Sequence, residues 1–298
     1  MKKKLLKQLK IAIVISTFVF STVLTGCAEL QSLLPGAKQE ATEVLSYRTL
    51  DKIKESGKIN IGVLSNDAVV EKADIEGLNY GYDEYLAKRL AEDLGVDVNL
   101  VPCDPSKRLD YLNKGTVDIM LANYTVTEER SELVDFSLPF KKVSLGLLSP
   151  TDHVVSKLSR ADKEAPLILV KGTRAEEYME ENFPNVELKK YNNNKEVLAA
   201  LEKNKKASWL EDAITVIGYS INNDNYVVSK ISIGDPEVIA PAVAKGNSSL
   251  LQWLDEEMKK LGEEKFFHKA YDETIGKVLG KDYEDALVIE ADPYEAKD

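Results

Sequence analysis

Short apolar–polar alternations separate stretches of helical period along most of this chain. Ile59, Ile61 and Val63 alternate as a half-buried strand. Asp83 then caps a predicted helix with Leu86, Leu90 and Leu94 on one face and Gly95 as its stop. Alternation returns at Val96, Val98 and Leu100. Pro105 opens a second helix, with Leu109 and Leu112 inward and Gly115 at its end, and residues 117–121 form a short apolar strand. This βαβαβ order implies a parallel sheet with helices on both faces. The rhythm restarts with a strand at residues 167–170, helices over 173–183 and near 196–201, and a strand at 207–210. Two α/β lobes are expected, with extended apolar segments at 143–148 and 238–243 between them. Residues 250–279 are helical in pattern and pack most simply on the first lobe, and the tail from Lys281 is acidic.

The N-terminus is different. Five lysines precede an apolar run from Ile11 to Leu24. That run is too short to span a hydrocarbon core of ~30 Å and has the form of a signal-peptide h-region. It ends in Leu24-Thr25-Gly26-Cys27, which looks like a lipobox. Residues 1–26 are therefore expected to be removed, Cys27 to carry lipid, and residues 27–46 to act as a tether.

Composition narrows the partners. Residues 1–26 hold five of the 39 basic residues and none of the 50 acidic ones, so the mature chain carries 34 basic against 50 acidic residues. So acidic a chain argues against nucleic acid and against an anionic membrane surface as binding partners. With Cys27 lipidated, Cys103 has no disulfide partner. The two histidines are far apart and no metal-ligand spacing occurs, so neither a metal nor another cofactor is expected.

Several short motifs occur together in a specific order. Ser56-Gly57-Lys58-Ile59 leads into the first strand, Gly81-Tyr82-Asp83 into the first helix. Asn113 to Asp118 has the form GxVD, residues 125–130 the form TxTxxR, residues 134–140 the form vdFSxPy, and Lys171-Gly172-Thr173 a GTT-like turn. Across roughly residues 48–280 the chain resembles the polar amino-acid receptors of ABC importers, solute-binding protein family 3. Residues 121–123, 239–243 and 266–273 are most similar to the cysteine or cystine receptors of that family. The resemblance implies an α/β, two-lobed periplasmic-binding-protein-like fold of type II, with two hinge strands and ligand in the interlobe cleft. Lobe 1 would comprise residues 47–147 and 241–280, lobe 2 residues 148–240. It also implies a monomeric, lipid-anchored protein outside the cytoplasmic membrane that hands a small amino acid to ABC permease subunits.

An amino acid is a zwitterion, and a closing cleft strips water from both charges, so each needs a partner. For the carboxylate, Arg130 stands at the family's position, and a guanidinium suits a carboxylate in bidentate fashion. The Gly172-Thr173 turn adds backbone N–H groups at a helix start. For the ammonium, Asp212 matches the family's acidic position, with Glu211 beside it leaving the register open by one residue. Asn123 and Thr125 contribute polar groups from the first lobe. Trp209 is either a ring in the site or a core residue. Where relatives carry a PPFxy-like segment, this chain has Val69-Val70-Glu71-Lys72, which offers no π face to a cation. A small polar or sulfur-containing amino acid is thus expected rather than arginine or lysine. The alternatives are a dehydratase of a prephenate-like acid on the same fold, with Glu211 or Asp212 as its acid, or a surface adhesin.

Overall fold

The computed structural model describes residues 46–64, 80–160 and 165–291. The expected signal segment, Cys27, the tether up to residue 45, the 69–72 loop and the last seven residues lie outside them.

The first lobe begins with helix α1 (Leu50–Ser56), ended by Gly57, and strand β1 (Lys58–Leu64). Helix α2 (Tyr80–Leu94) follows, then β2 (Asp97–Cys103), α3 (Arg108–Asn113), β3 (Ile119–Met120), α4 (Glu128–Leu133) and β4 (Val134–Phe136). The chain then crosses to a second lobe: β5 (Lys141–Pro150), β6 (Leu167–Val170), α5 (Arg174–Asn182), β7 (Leu188–Tyr191), α6 (Asn194–Lys203), β8 (Ser208–Asp212), α7 (Ala213–Ile221) and β9 (Tyr226–Ile239). It returns through β10 (Ala242–Ala244) into α8 (Ser248–Glu263), α9 (Phe266–Glu273), α10 (Gly276–Leu279) and α11 (Glu284–Leu287).

The sheet orders are β2-β1-β3-β10-β4 and β7-β6-β8-β5-β9. Each sheet takes one antiparallel strand into an otherwise parallel core: β10 against β3, and β5 against β8. That insertion follows from two crossings between lobes, and it is the type II arrangement. The crossings fall at residues 137–140 and 240–241. The first lies earlier than the expected boundary after residue 147, because β5 pairs with β8 and β9 along its whole length and belongs to the second sheet. The hinge is stitched by Phe140 N–H donating to Ile239 O at 3.0 Å and by a bridge between Thr125 and Ile239.

Apolar faces build the lobes as the periodicity predicts. Leu86, Leu90 and Leu94 of α2 pack with Ile59, Ile61 and Ile119. Met120, Leu112, Val117 and Cys103 cover the opposite face of the first sheet. In the second lobe Ile168, Val170, Leu198 and Trp209 form one face and Leu167, Leu169, Met179 and Leu210 the other. Helices α8 and α9 pack on the first lobe through Leu250, Leu254 and Phe267. Asp83, in contrast, does not cap α2. It lies within the first turn, fully buried, and accepts the Asn123 backbone N–H at 3.2 Å.

The chain beyond residue 280 is more than an acidic tail. Leu287, Val288 and Ile289 are buried, and Ile289 N–H donates to Phe140 O at 3.2 Å, so this segment grips the first hinge crossing. Several motif residues turn out to be fasteners. Asp118 accepts from Arg48 and from Asn60 N at 2.7 Å, tying β1 to β3. Ser137 donates to Asp255 at 2.6 Å, and Asp135 accepts Gly246 N–H at 2.8 Å. Among the described residues no helix is long and apolar enough to cross a membrane.

Candidate functional site

The cleft between the lobes is floored by a strained turn. Ala122 and Asn123 have φ of 30° and 51°, in the left-handed region that non-glycine residues rarely adopt. Two buried side chains hold the turn there. Asp83 accepts Asn123 N–H, and Arg108 Nε donates to Ala122 O at 2.9 Å. Asn123 thereby aims its side chain across the cleft, where its Nδ2 donates to Asp212 Oδ2. Asp212 ends β8 and starts α7, but its side chain makes no capping bond, leaving it for the cleft.

Arg130 is positioned by Thr127, whose hydroxyl accepts Arg130 N–H at 3.2 Å and caps α4. The side chain turns inward and is 6 % exposed. Its Nη1 donates to Thr125 O at 2.9 Å, and its Nη2 reaches the second lobe, to Gly172 O at 3.3 Å and Glu177 Oε1 at 2.6 Å. A second guanidinium, absent from the sequence-based site, meets it there. Arg108 Nη1 also donates to Gly172 O, at 3.2 Å, and both guanidiniums lie over the Tyr124 ring, at 5.2 Å for Arg108 and 5.1 Å for Arg130. Arg108 is 4 % exposed, and no carboxylate among the described residues forms an ion pair with it. Burial, and then Arg130, lower its pKa to about 10, so it stays charged at neutral pH.

Gly172 has φ of 74°, and a Cβ there would come within 2.6 Å of Ser106 Cα in the first lobe. Only glycine lets the lobes meet this closely. The expected free N–H at Gly172 is engaged within its own lobe, donating to Glu176 Oε2 at 2.6 Å, and Thr173 Oγ donates to Val170 O at 2.8 Å.

Within the cleft, Arg108, Asn123, Thr125, Thr173, Glu211 and Asp212 line a cavity of about 460 Å³, counting space open to solvent. Arg130 and Gly172 stand beside it rather than in its wall. Glu211 and Asp212 are both 6 % exposed. Burial raises the pKa of each. For Glu211 the neighbouring Asp212 adds to burial and the value is pushed up to about 8. At Asp212 the rise is opposed by Lys141, Arg108, Asn123 and Arg130. Lys141 is buried behind the site, 3.8 Å from Asp83, with its ammonium over the Tyr82 and Phe140 rings. Trp209 is fully buried and edge-on to Tyr219, so it is a core residue, not a cover for ligand. Among the described residues no group of three or more His, Cys, Asp or Glu side chains could hold a metal ion.

Arg108, Tyr124 and Glu211 were the residues missed or left open. Arg108 had one legible signal: it lies four residues before the inward Leu112, on the same helical face. Nothing in the sequence separates Tyr124 from an ordinary aromatic of the strand end.

Comparison with known proteins agrees with this architecture. A profile of bacterial extracellular solute-binding proteins, family 3, matches residues 59–277. A solved receptor for L-cysteine from Neisseria gonorrhoeae superposes with a TM-score of 0.73 at 33 % identity, covering 81 % of this chain and 100 % of that one. A cysteine-binding protein from Campylobacter jejuni gives 0.72 at 37 % identity, covering 80 % and 98 %. The ABC transporter glutamine-binding protein GlnH of Bacillus subtilis is 26 % identical over 244 residues, 80 % of this chain and 89 % of that protein.

Proposed function

Because the chain belongs to the bacterial extracellular solute-binding proteins of family 3, we propose that it is a lipid-anchored, extracytoplasmic receptor that captures a small amino acid and delivers it to an ABC permease. The observation that carries this reading is a pair of buried opposite charges facing one cavity from different lobes, Arg108 from the first and Asp212 from the second. A zwitterion supplies the complement of both. Its carboxylate is received by Arg108 and Arg130, in the place where Gly172 O now accepts from both guanidiniums. Its ammonium is received by Asp212, with Asn123, Thr125 and Thr173 completing the wall. The likeness to two cysteine receptors favours cysteine or cystine among small polar and sulfur-containing amino acids.

A calorimetric screen of the twenty amino acids and cystine tests the reading. Selective binding of cysteine, cystine or another small polar amino acid is expected. Tight selective binding of arginine or lysine, or of no amino acid, defeats it. Anchoring rests on the Leu24–Cys27 motif, and Cys27→Ala should release the protein from membranes or leave it unprocessed. A mature mutant still retained on membranes contradicts the anchor.

A further inference from the structure

Among the described residues, Glu211 is the buried acid of the cleft that the zwitterion scheme leaves without a task. It lines the cavity beside Asp212, its Oε1 accepts Asp212 N–H at 3.1 Å, and its Oε2 is buried with no hydrogen-bond partner. The Trp209 indole N–H, two residues back on the same side of the strand, approaches this carboxyl without reaching full hydrogen-bond geometry, and it opposes the rise in the Glu211 pKa.

Two adjacent carboxyls removed from water cannot both ionise cheaply. Their surroundings decide which keeps the proton. Asp212 takes a hydrogen bond from Asn123 and feels Lys141 of β5, Arg108 of α3 and Arg130 of α4. At Glu211, among the described residues, the rise is opposed by the Asp212 N–H, by Arg108 and by the neutral Trp209 donor, against two arginines and a lysine at Asp212. Arg174, which also lines the cavity from α5, is held by Glu237 at 2.7 Å and Glu181 at 3.3 Å. From α7 the wall is Thr215, which carries no charge. Arg108 and Asp212 therefore balance, and a neutral Glu211 keeps the cavity matched to a zwitterion without net charge.

We propose that Glu211 stands in the cleft as a neutral carboxylic acid and donates its O–H to an acceptor atom of the ligand's side chain, so that the receptor selects net-neutral amino acids over cationic ones. The proposal rests on the amino-acid reading above. It adds a residue that reads the side chain, where Arg108, Arg130 and Asp212 read the backbone groups common to all amino acids. An ionised Glu211 would add a second negative charge beside Asp212 and favour arginine or lysine instead.

The variant Glu211→Gln keeps a donor and cannot ionise. Calorimetry with L-cysteine (kept reduced), L-glutamine, L-serine, L-arginine and L-lysine is run on wild type and variant from about pH 6 to about pH 9. Each ligand's own titration cancels in the ratio of the two affinities. At the low end neither protein should bind arginine or lysine tightly, and the ratio of their affinities for the preferred neutral amino acid there sets the reference. Near pH 8, where Glu211 is expected to ionise, wild type should begin to weaken against the variant, by about tenfold for one further unit of pH. A ratio flat across the range, or tight binding of arginine or lysine by wild type at the low end, overturns the proposal. Carboxyl ¹³C titration of ligand-free wild type reads the proton directly, with or without a folded variant. A Glu211 midpoint near the ordinary ~4.3 overturns the proposal even if amino acids bind. A raised midpoint in a protein that binds none of the amino acids defeats the receptor reading, and with it the proposed selection.

Discussion

At the residue scale, the site is a set of buried charges whose costs are offset by one another. Arg108 and Arg130 both converge on Gly172 O, and truncating one member of a buried charge pair in a complex costs roughly 2–5 kcal/mol. Arg108→Ala and Arg130→Ala are each expected to weaken ligand binding on the order of 30-fold or more. A loss below about threefold in calorimetry removes that arginine from carboxylate binding. Glu211 also links the fold to pH. Its carboxyl is raised in the folded state to about 8, so the stabilisation it carries is complete below the ordinary carboxyl pKa and is lost as pH rises through 8. Urea midpoints of wild type should therefore decline over that window more steeply than those of Glu211→Gln. Parallel profiles would show that Glu211 is ionised throughout.

At the element scale, the C-terminal segment does structural work that its acidic composition conceals. Helix α9 follows Lys265, an N-cap residue with φ of 56° whose side chain makes no capping bond. The cap comes from Glu290, far along the chain, which accepts the N–H groups of Phe267 at 3.3 Å and His268 at 3.1 Å. A carboxylate at a helix N-terminus satisfies free donors and the dipole together. Gly262 in α8 leaves room for the carbonyl of the same Glu290. Deleting residues 281–298 exposes the surfaces under Leu287, Val288 and Ile289, each worth on the order of 1.5–3 kcal/mol. The truncated protein should melt several degrees lower, and an unchanged melting temperature would show that the segment merely rests on the surface.

At the scale of the whole molecule, the lobes are joined by two short crossings and meet across the cleft through Asn123–Asp212, Arg130–Glu177 and the two arginines on Gly172 O. Such a pair of crossings permits hinge closure around a ligand. Gly172→Ala tests the closed contact, since its Cβ would collide with Ser106 across the cleft. Within its own lobe the change costs only the left-handed penalty of roughly 1–2 kcal/mol. Small-angle scattering with saturating ligand should show wild type compact and Gly172→Ala more open, with affinity reduced at least about tenfold. Equal profiles and equal affinities would mean that closure does not bring Gly172 against Ser106.

What the sequence determined by itself was whatever depends on short-range period and on ordered motifs. Strands β1, β2, β3, β6 and β8, the helices α2, α5 and α6 and the two-lobed α/β class were legible because side-chain period follows backbone geometry directly, whereas Asn123, Arg130, Gly172 and Asp212 were singled out by the ordered motifs of the family resemblance. Tertiary structure alone decided what depends on the direction of a side chain between elements distant in sequence. Arg108 shares the inward face of a short helix with Leu112, but what its guanidinium meets there is decided only when the 122–123 turn is laid across it. Asp83 reads as a helix cap until the turn supplies a backbone donor. Trp209 was open between site and core, and the packing of α7 on β8 closed that choice. The first crossing moved from 147 to 140 because a buried strand is apolar on both faces, so its pattern does not reveal which sheet it joins. The partition of one proton between Glu211 and Asp212 is likewise set by charges from α3, α4 and β5, which no local pattern brings together.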